Sequence, residues 1–273
     1  MKFIGIAGMM MIICFNYTPE TTADQYYPNF IGNIWTLKST DGAEERVVKI
    51  TRTTVISGRE VNVLERHTHG GVDEMYIFTE PDGIKVVRSV VNLGGFTLSL
   101  DYDPPEVFIP AALKVNMSWE IKGETTVLGL AVKVNAEATV VAQEDVTTSV
   151  GTFRNCFKIQ QKYVVKTALP FLNLPSLITY MWLAPNIGLV KERDSSKPPV
   201  VYELVDYKLF YPWDVNHDLK VDVVDLAEVE AYFGEYFYII AVNNPDVNRD
   251  GIVDISDLVL VGKHYGEIYL PGQ

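Results

Sequence analysis

Apolar and polar residues alternate with a period of two over most of the chain, from residue 24 to residue 210. Because successive side chains of a strand point to opposite faces, this alternation predicts strands with one buried face. β-Branched and aromatic residues are frequent within the alternating runs, and Gly, Pro, Asn and Asp separate the runs. No amphipathic helix longer than two turns is indicated before residue 210. The region is therefore predicted to be mainly β, an antiparallel curved sheet, half-barrel or barrel.

Turn-forming residues divide this region into strands. Pro81-Asp82-Gly83 is predicted to form a turn, because proline presets φ at the second position and glycine accepts a positive φ at the fourth. Asp103-Pro104-Pro105 is predicted to end a strand, and Pro110 to begin an irregular stretch that reaches Met117. The strands are expected at residues 47–57, 61–66, 75–79, 84–92, 96–102, 127–144, 157–166, 178–183, 189–193 and 201–210.

The composition changes at Tyr211-Pro212-Trp213, where proline disfavours the continuation of a helix or strand. Residues 211–273 contain twelve acidic and three basic residues, and so carry −9 of the formal net charge of −12. We therefore predict a β-domain at residues 24–210 and a small, acidic, α-helical domain at residues 211–268. The negative charge argues against nucleic acid or an anionic membrane surface as a partner, since both attract clustered Lys and Arg.

The first 16 residues have the pattern of an export segment. Lys2 supplies a charged start, and an apolar run follows from Phe3 to Phe15, too short to span a bilayer comfortably. Cys14 suggests lipid attachment after cleavage, although Ile13 is bulkier than the residue that lipoprotein signals prefer there. Plain cleavage and an uncleaved anchor are the alternatives. We expect an exported protein that is extracellular, on the cell surface or periplasmic, with membrane contact only through this segment.

A twelve-residue pattern, D-x-N-x-D-x-x-x-D-x-x-D, occurs twice in the acidic domain, at residues 214–225 and 246–257. Ca²⁺ binds six to eight oxygens, and the side chains at loop positions 1, 3, 5, 9 and 12 can converge with the carbonyl at position 7. Four carboxylates in each loop would repel one another without a divalent cation. Two bound Ca²⁺ ions are therefore predicted. The expected ligands are Asp214, Asn216, Asp218, Lys220, Asp222 and Asp225 in the first loop, and Asp246, Asn248, Asp250, Ile252, Asp254 and Asp257 in the second.

The two loops differ at position 6, which is Leu219 in the first loop and Gly251 in the second. A left-handed backbone at this position costs leucine on the order of 1 kcal/mol. We therefore expect the first site to be the weaker. At position 8, Val221 and Val253 are expected to point inward as an apolar tie between the paired loops.

Position 12 is Asp instead of the Glu of an ordinary EF-hand, and Pro212 and Pro245 prevent a helix from entering either loop. A loop followed by an exiting helix, used twice, resembles a type I dockerin domain. The exiting helices are expected at residues 224–233 and 256–264. This resemblance implies a cohesin-like partner domain and the context of polysaccharide degradation.

The dockerin resemblance also implies which residues contact the partner, because loop positions 10 and 11 and the exposed helix face carry recognition in that family. Packing of these apolar side chains against the β-domain is the alternative. The implied residues are Val223, Val224, Ile255, Ser256, Lys263 and His264. The linker between the repeats, residues 235–244, is predicted to pack as a short helix.

The β-domain also has a resemblance, carried by Tyr26-Tyr27-Pro28, Gly151-Thr152-Phe153 and Trp182-Leu183-Ala184-Pro185. Over residues 26–208 it resembles exported bacterial domains of unknown activity, which are similar to the curved-sheet folds of lipoprotein carriers. A shared fold implies no function by itself. Trp35, Trp119 and Trp182 are interpreted as packing residues.

Catalytic motifs are not evident: the sequence contains no G-x-S-x-G elbow, phosphate loop or H-E-x-x-H. Cys156 is the one cysteine outside the export segment and is expected to be a buried thiol. His67 and His69 are two residues apart, but the glycines beside them favour a solvated loop over a metal site. A glycosidase would need two converging carboxylates, and nothing marks a pair. The candidates are Glu65, Glu74, Glu120, Glu124 and Glu144.

The sequence therefore predicts an exported calcium-binding protein whose dockerin-like domain docks to a cohesin-like partner and carries a non-catalytic β-domain. Two alternatives remain open. One is a dockerin-tethered hydrolase acting on O-glycosyl compounds. The other is a carrier of lipid or a small ligand in which Ca²⁺ is purely structural.

Overall fold

The computed structural model describes residues 23–92, 97–127, 129–167, 176–236 and 244–269. The predicted export segment with Cys14 lies outside these residues, as does most of the predicted linker helix. No helix among the described residues is long and apolar enough to cross a membrane. The helices are α1 Ala23–Tyr26, α2 Val223–Ala231 and α3 Ile255–Lys263. The strands are β1 Ile34–Ser39, β2 Glu45–Ile56, β3 Arg59–Thr68, β4 Gly71–Glu80, β5 Gly83–Asn92, β6 Thr97–Pro110, β7 Ser118–Val127, β8 Leu130–Thr148, β9 Gly151–Thr167, β10 Leu177–Ala184, β11 Gly188–Arg193 and β12 Val201–Lys208.

Within the described residues, the twelve strands form a closed antiparallel barrel in which each strand pairs with its neighbours in sequence. The barrel closes where β1 pairs with β12, for example at Trp35 and Tyr207. The period-two pattern is confirmed: Trp35 and Leu37 are fully buried on the inner face of β1, whereas Lys38 is exposed. Of the three predicted architectures, the protein has the barrel. β1 and β7 were not predicted as strands.

The prediction that Asp103-Pro104-Pro105 ends a strand is wrong, because β6 continues through these residues to Pro110. The register of β6 with β5 jumps from Asp101 to Glu106, so the prolines lie in a bulge between paired residues. Since proline lacks a backbone N–H, it is tolerated where no ladder bond is required.

An aromatic part of the core lies at the end of the barrel where β12 leaves for the C-terminal module, which we call the floor. Tyr27 of the N-terminal segment packs there at 5.6 Å from the ring of Trp35 and 5.5 Å from that of Phe108. Trp35 donates its indole N–H to the carbonyl of Ile187 at 2.6 Å. Gly188 has a φ of 91°, and a Cβ there would lie 3.1 Å from the Trp35 ring. The interpretation of Trp35 as a packing residue is therefore confirmed.

Cys156 is fully buried in the same core and donates its thiol to the carbonyl of Phe153 at 3.3 Å. Burial raises the pKa of this thiol to about 12. The expectation of a buried, apolar cysteine is confirmed, since a thiol that stays protonated is a poor nucleophile.

The C-terminal helices begin and end within two residues of the predicted bounds. Aromatic contacts hold the module against the floor of the barrel. The ring of Phe30 meets Trp213 at 5.1 Å, and the ring of Phe210 meets His217 at 5.2 Å. The first acidic loop therefore lies directly beneath the barrel.

Candidate metal centre and docking face

The two acidic loops are built in the same way, and each ends in the first turn of a helix. Asp222 and Asp254, at loop position 9, are the N-caps of α2 and α3, and each accepts the N–H of the residue two positions later, at 2.8 and 2.7 Å. Asp225 and Asp257, at position 12, complete a capping box with them. Because a capping box satisfies N–H groups that the helix leaves unpaired, these aspartates determine where each helix starts.

The carboxylates at positions 1 and 12 organise the loop backbone. Asp214 accepts the N–H groups of positions 5 and 6 at 3.2 and 2.9 Å, and Asp225 accepts those of positions 3 and 9 at 3.2 and 2.8 Å. Asp246 and Asp257 make the equivalent bonds in the second loop at 3.1, 2.9, 3.0 and 2.8 Å. The sequence repeat is therefore also a repeat of backbone geometry.

Two positions in each loop have a left-handed backbone. At position 6, φ is 67° at Leu219 and 97° at Gly251, and at position 4 it is 59° at His217 and 60° at Arg249. A leucine in this conformation carries a cost on the order of 1 kcal/mol that glycine avoids. The two loops differ in strain only at position 6, so a weaker first site remains the prediction.

The valines at position 8, Val221 and Val253, are buried at 1% and 0% exposure, as predicted. Their backbones, however, do not pair with each other. Val221 exchanges hydrogen bonds with the chain after α3, donating to Glu267 at 3.0 Å and accepting from Gly266 at 2.8 Å. Val253 makes the same pair of bonds with residues 234 and 235 after α2. Each loop is thus fastened to the end of the opposite helix.

Four loop carboxylates are removed from solvent: Asp214 is 1% exposed, Asp246 is 3% exposed, and Asp225 and Asp257 are 0% exposed. Among the described residues, none of the four forms an ion pair with a basic side chain. Burial raises the pKa of Asp214 to about 7, with a further contribution from the charge of Asp225, and burial likewise raises the pKa of Asp246. Since an uncompensated buried charge costs several kcal/mol, these loops are suited to a cation.

The donor atoms of the two loops match the chemistry of Ca²⁺. All twelve expected ligands offer oxygen, which hard cations prefer, and the backbone N–H groups leave free lone pairs on the carboxylates. In the part of the chain that the structure describes, no three Asp, Glu, His or Cys side chains are grouped tightly enough to hold a metal ion. Asp218 and Asp222 instead accept N–H groups two residues later in their own loop, at 3.0 and 2.8 Å. The loops therefore fit Ca²⁺ in donor type, while in this structure their side chains are not gathered around one point.

Comparison with known families bears directly on these loops. Residues 212–265 match the model of the dockerin type I domain. The C-terminal module is dockerin-like. Residues 113–201, within the barrel, match the model described as DUF3108-like. A search of curated proteins found no match.

Two solved structures are similar to this chain. One is a predicted lipoprotein from Parabacteroides distasonis, 14% identical, with a TM-score of 0.43 over 67% of this chain and 98% of that one. The other is a predicted exported protein with a YmcC-like fold from Bacteroides fragilis, 14% identical, with a TM-score of 0.40 over 67% of this chain and 99% of that one.

The dockerin-like module exposes apolar side chains at the start of both helices. Val223 is 63% exposed, Val224 is 47% exposed and Ile255 is 62% exposed, and Ser256 and Lys263 are also exposed. An open groove of about 730 Å³ runs between the two helices. Its lining includes Val223, Leu226, Ala227, Glu230, Phe233, Ile255 and Leu258.

The sixth predicted docking residue, His264, lies in a different environment. Its ring stacks on Trp213 with centroids 3.5 Å apart, and its Nδ1 lies 3.1 Å from the Glu267 carboxylate. Tyr211 and Tyr269 stack beside it at 3.6 Å. These contacts join the start of the dockerin-like module to its end. Sequence reasoning missed this clamp, for which the one available signal is that aromatic residues flank the module on both sides.

The other candidate residues are engaged on the barrel strands. Glu65 and Glu74 are paired across β3 and β4 and both contact Arg52, at 2.6 and 3.0 Å. His67 lies 2.8 Å from Glu65, and His69 is exposed in the β3–β4 turn. The remaining candidates are also in ion pairs, Glu120 with Lys122, Glu124 with Lys133 and Glu144 with Lys158.

Proposed function

We propose that this chain is an exported adaptor in which a Ca²⁺-loaded dockerin-like module docks to a cohesin-like domain and carries a non-catalytic β-barrel. Two ions are proposed, one in each acidic loop. The proposal depends on two features that occur together in the dockerin-like module, buried loop carboxylates and exposed apolar side chains. Among the described residues, the buried carboxylates of each loop form no ion pair with a basic side chain, and an exposed apolar residue at position 10 lies between the carboxylates of positions 9 and 12.

Calcium and docking are linked through the loop geometry. Val223 and Ile255 occupy loop position 10, between the N-cap at position 9 and the buried carboxylate at position 12. An ion that holds positions 9 and 12 therefore also holds the docking residues at a defined spacing. Preorganised apolar side chains of this kind are typical anchors of a protein interface, because little conformational freedom is lost on binding.

The docking proposal is tested with the full chain and the type I cohesin domains of the source organism, measured by calorimetry in 1 mM Ca²⁺ and in EGTA. Binding to at least one cohesin domain in Ca²⁺, lost in EGTA, is the expected result. Val223→Asp and Ile255→Asp should each weaken it at least tenfold. Val55→Asp, at a position 65% exposed on the barrel, is the matched control and should leave affinity unchanged.

Two outcomes would oppose the proposal in different ways. Calcium uptake without binding to any of the cohesin domains would favour purely structural Ca²⁺. Binding that persists in EGTA, or that survives both substitutions at position 10, would place the interface elsewhere on the molecule.

A further inference from the structure

The connection between the barrel and the dockerin-like module is short and buried. Only residues 209–213 lie between the end of β12 at Lys208 and the first acidic loop. Their sequence, Leu-Phe-Tyr-Pro-Trp, lacks the glycine and serine of a flexible linker. Leu209 and Tyr211 are 6% and 3% exposed, so the connection belongs to the core. The module is therefore not attached to the barrel by a free tether.

A buried amide fastens this connection to the barrel floor. Asn33 is fully buried; its Nδ2 donates to the carbonyl of Pro28 at 3.0 Å, and its Oδ1 accepts the N–H of Phe210 at 2.6 Å. Tyr211 donates its hydroxyl to the carbonyl of Asn186, in the turn between β10 and β11. Because a buried polar group is costly when it is unpaired, these hydrogen bonds hold the connection in one position.

Aromatic rings from three separate parts of the chain meet at this connection. Phe30, in the segment before β1, lies 5.7 Å from Tyr211 and 5.1 Å from Trp213. Tyr269, after α3, stacks on Tyr211 at 3.6 Å. Domains move relative to one another by default unless their interface is large and hydrophobic. We call the aromatic residues of this interface the joint: Phe30, Phe210, Tyr211, Trp213 and Tyr269.

Both acidic loops contact the floor through residues that alternate with the expected Ca²⁺ ligands. Val215 and Val247, at loop position 2, are 2% and 6% exposed and belong to the same apolar core as the barrel. At position 4 of the first loop, the ring of His217 meets the ring of Phe210 at 5.2 Å. Val247 also lines, with Phe30 and Phe210, a cavity of about 160 Å³ between the floor and the loops. Since positions 2 and 4 are flanked by positions 1, 3 and 5, an ion that orders the ligands also orders the residues that contact the floor.

We propose that Ca²⁺ in the acidic loops also stabilises the barrel floor, so that barrel and dockerin-like module form one rigid body and a docked partner is held at a fixed angle to the barrel. This coupling rests on the calcium sites proposed above. Its physical basis is linkage: an ion that favours the ordered loops favours to the same extent the floor contacts that only the ordered loops make.

Amide hydrogen exchange of the full chain, in calcium buffer and in EGTA, tests the coupling. The floor is reported by the amides of Gly32 and Ile50, which donate to the carbonyls of Ile50 and Asn33, both at 2.9 Å. Ca²⁺ should slow the exchange of both amides by about tenfold. The amide of Thr40 donates to Val201 beyond the other end of β1 and is the internal control. Its exchange should change by less than about twofold.

Phe30→Ala removes the ring contacts to Tyr211 and Trp213 without changing a loop residue. It should reduce the effect of Ca²⁺ on the floor amides to less than about twofold, whereas the effect on the amides of α2 and α3 should remain. Tyr76→Ala is the matched control, because Tyr76 packs against a separate apolar cluster on the barrel. This variant should keep the full calcium effect at the floor.

Spin labels test the fixed angle without altering the joint, so this measurement stands even if Phe30→Ala does not fold. Val141→Cys on β8 and Val259→Cys on α3 place the labels at positions that are 37% and 49% exposed, whereas Cys156 is fully buried. In calcium buffer, double electron–electron resonance should give a single narrow distribution of distances between the two labels. A broad distribution would overturn the rigid joint.

The outcomes separate this coupling from the docking function. Slower exchange in α2 and α3 with unchanged exchange at Gly32 and Ile50 would overturn the coupling and leave the docking proposal intact. No effect of Ca²⁺ on any of these amides would refute the calcium sites, and the coupling with them. A calcium effect at the floor of a protein that binds no cohesin domain would support the coupling and refute docking alone.

Discussion

The calcium hypothesis makes its sharpest prediction at Asp225, the carboxylate at position 12 of the first loop. Asp225→Asn preserves side-chain size but replaces one oxygen by an NH₂ group. In the structure both oxygens are used, because they accept the N–H groups of Asn216 and Asp222 at 3.2 and 2.8 Å. The substitution therefore removes one charge-assisted hydrogen bond, worth about 1.5–3 kcal/mol, whether or not Ca²⁺ is present.

The contribution of the ion is separate from this loss and depends on calcium concentration. A ligand that binds the folded state alone stabilises it by about 4 kcal/mol when its concentration is about 1,000 times its Kd. Suppose that Asp225→Asn abolishes Ca²⁺ binding in the first loop. The substitution should then lower the free energy of unfolding by about 4 kcal/mol more in this calcium buffer than in EGTA. The difference between the two conditions isolates the ion, because the lost hydrogen bond is common to both.

The free energy of unfolding is measured by urea denaturation, and the local stability of α2 and α3 by amide hydrogen exchange. Both measurements are made in calcium buffer and in EGTA. Asp257→Asn in the second loop should show a calcium-dependent term about 1 kcal/mol larger, since Gly251 avoids the strain that Leu219 carries. Asp206→Asn, an exposed aspartate on β12, is the control and should have no effect in either condition. Equal destabilisation by Asp225→Asn in calcium and in EGTA would refute the calcium site.

Three further predictions concern the barrel floor. Trp35→Phe should lower the free energy of unfolding by about 1–3 kcal/mol, because it leaves the Ile187 carbonyl buried without its donor; guanidinium denaturation measures this. Gly188→Ala should destabilise the barrel by 1 kcal/mol or more in the same assay, because of its positive φ and its contact with the Trp35 ring, whereas Gly70→Ala, at an open position, should not. Cys156, whose pKa burial raises to about 12, should resist a thiol reagent at pH 8 in the native protein and react after unfolding.

The features that the sequence predicted best are those encoded within a few residues. Each acidic loop spans twelve residues, and its left-handed position 6, its buried valine at position 8 and the start of the helix that follows lie within one residue of where the pattern put them. The strands with clear alternation, such as β2 and β5, were found for the same reason. Local patterns suffice because the hydrogen bonds concerned are also local.

The features that the sequence did not predict depend on residues far apart in the chain. Closure of the barrel requires β1 to pair with β12, and no local pattern in residues 34–39 reports a partner near residue 207. The clamp stacks Trp213 on His264, across the whole module. Alternation alone therefore distinguishes strands from helices but leaves sheet, half-barrel and barrel open.

The two ends of the barrel have different surroundings, and the proposed docking module lies at the floor. The first acidic loop begins six residues after β12 ends at Lys208, and aromatic contacts from Phe30 and Phe210 hold it against the floor. Glu192 pairs in register with Tyr202, near the other end of β12. Six residues of strand separate Tyr202 from Lys208, a distance of about 20 Å. A protein docked on α2 and α3 would therefore leave the opposite end of the barrel accessible.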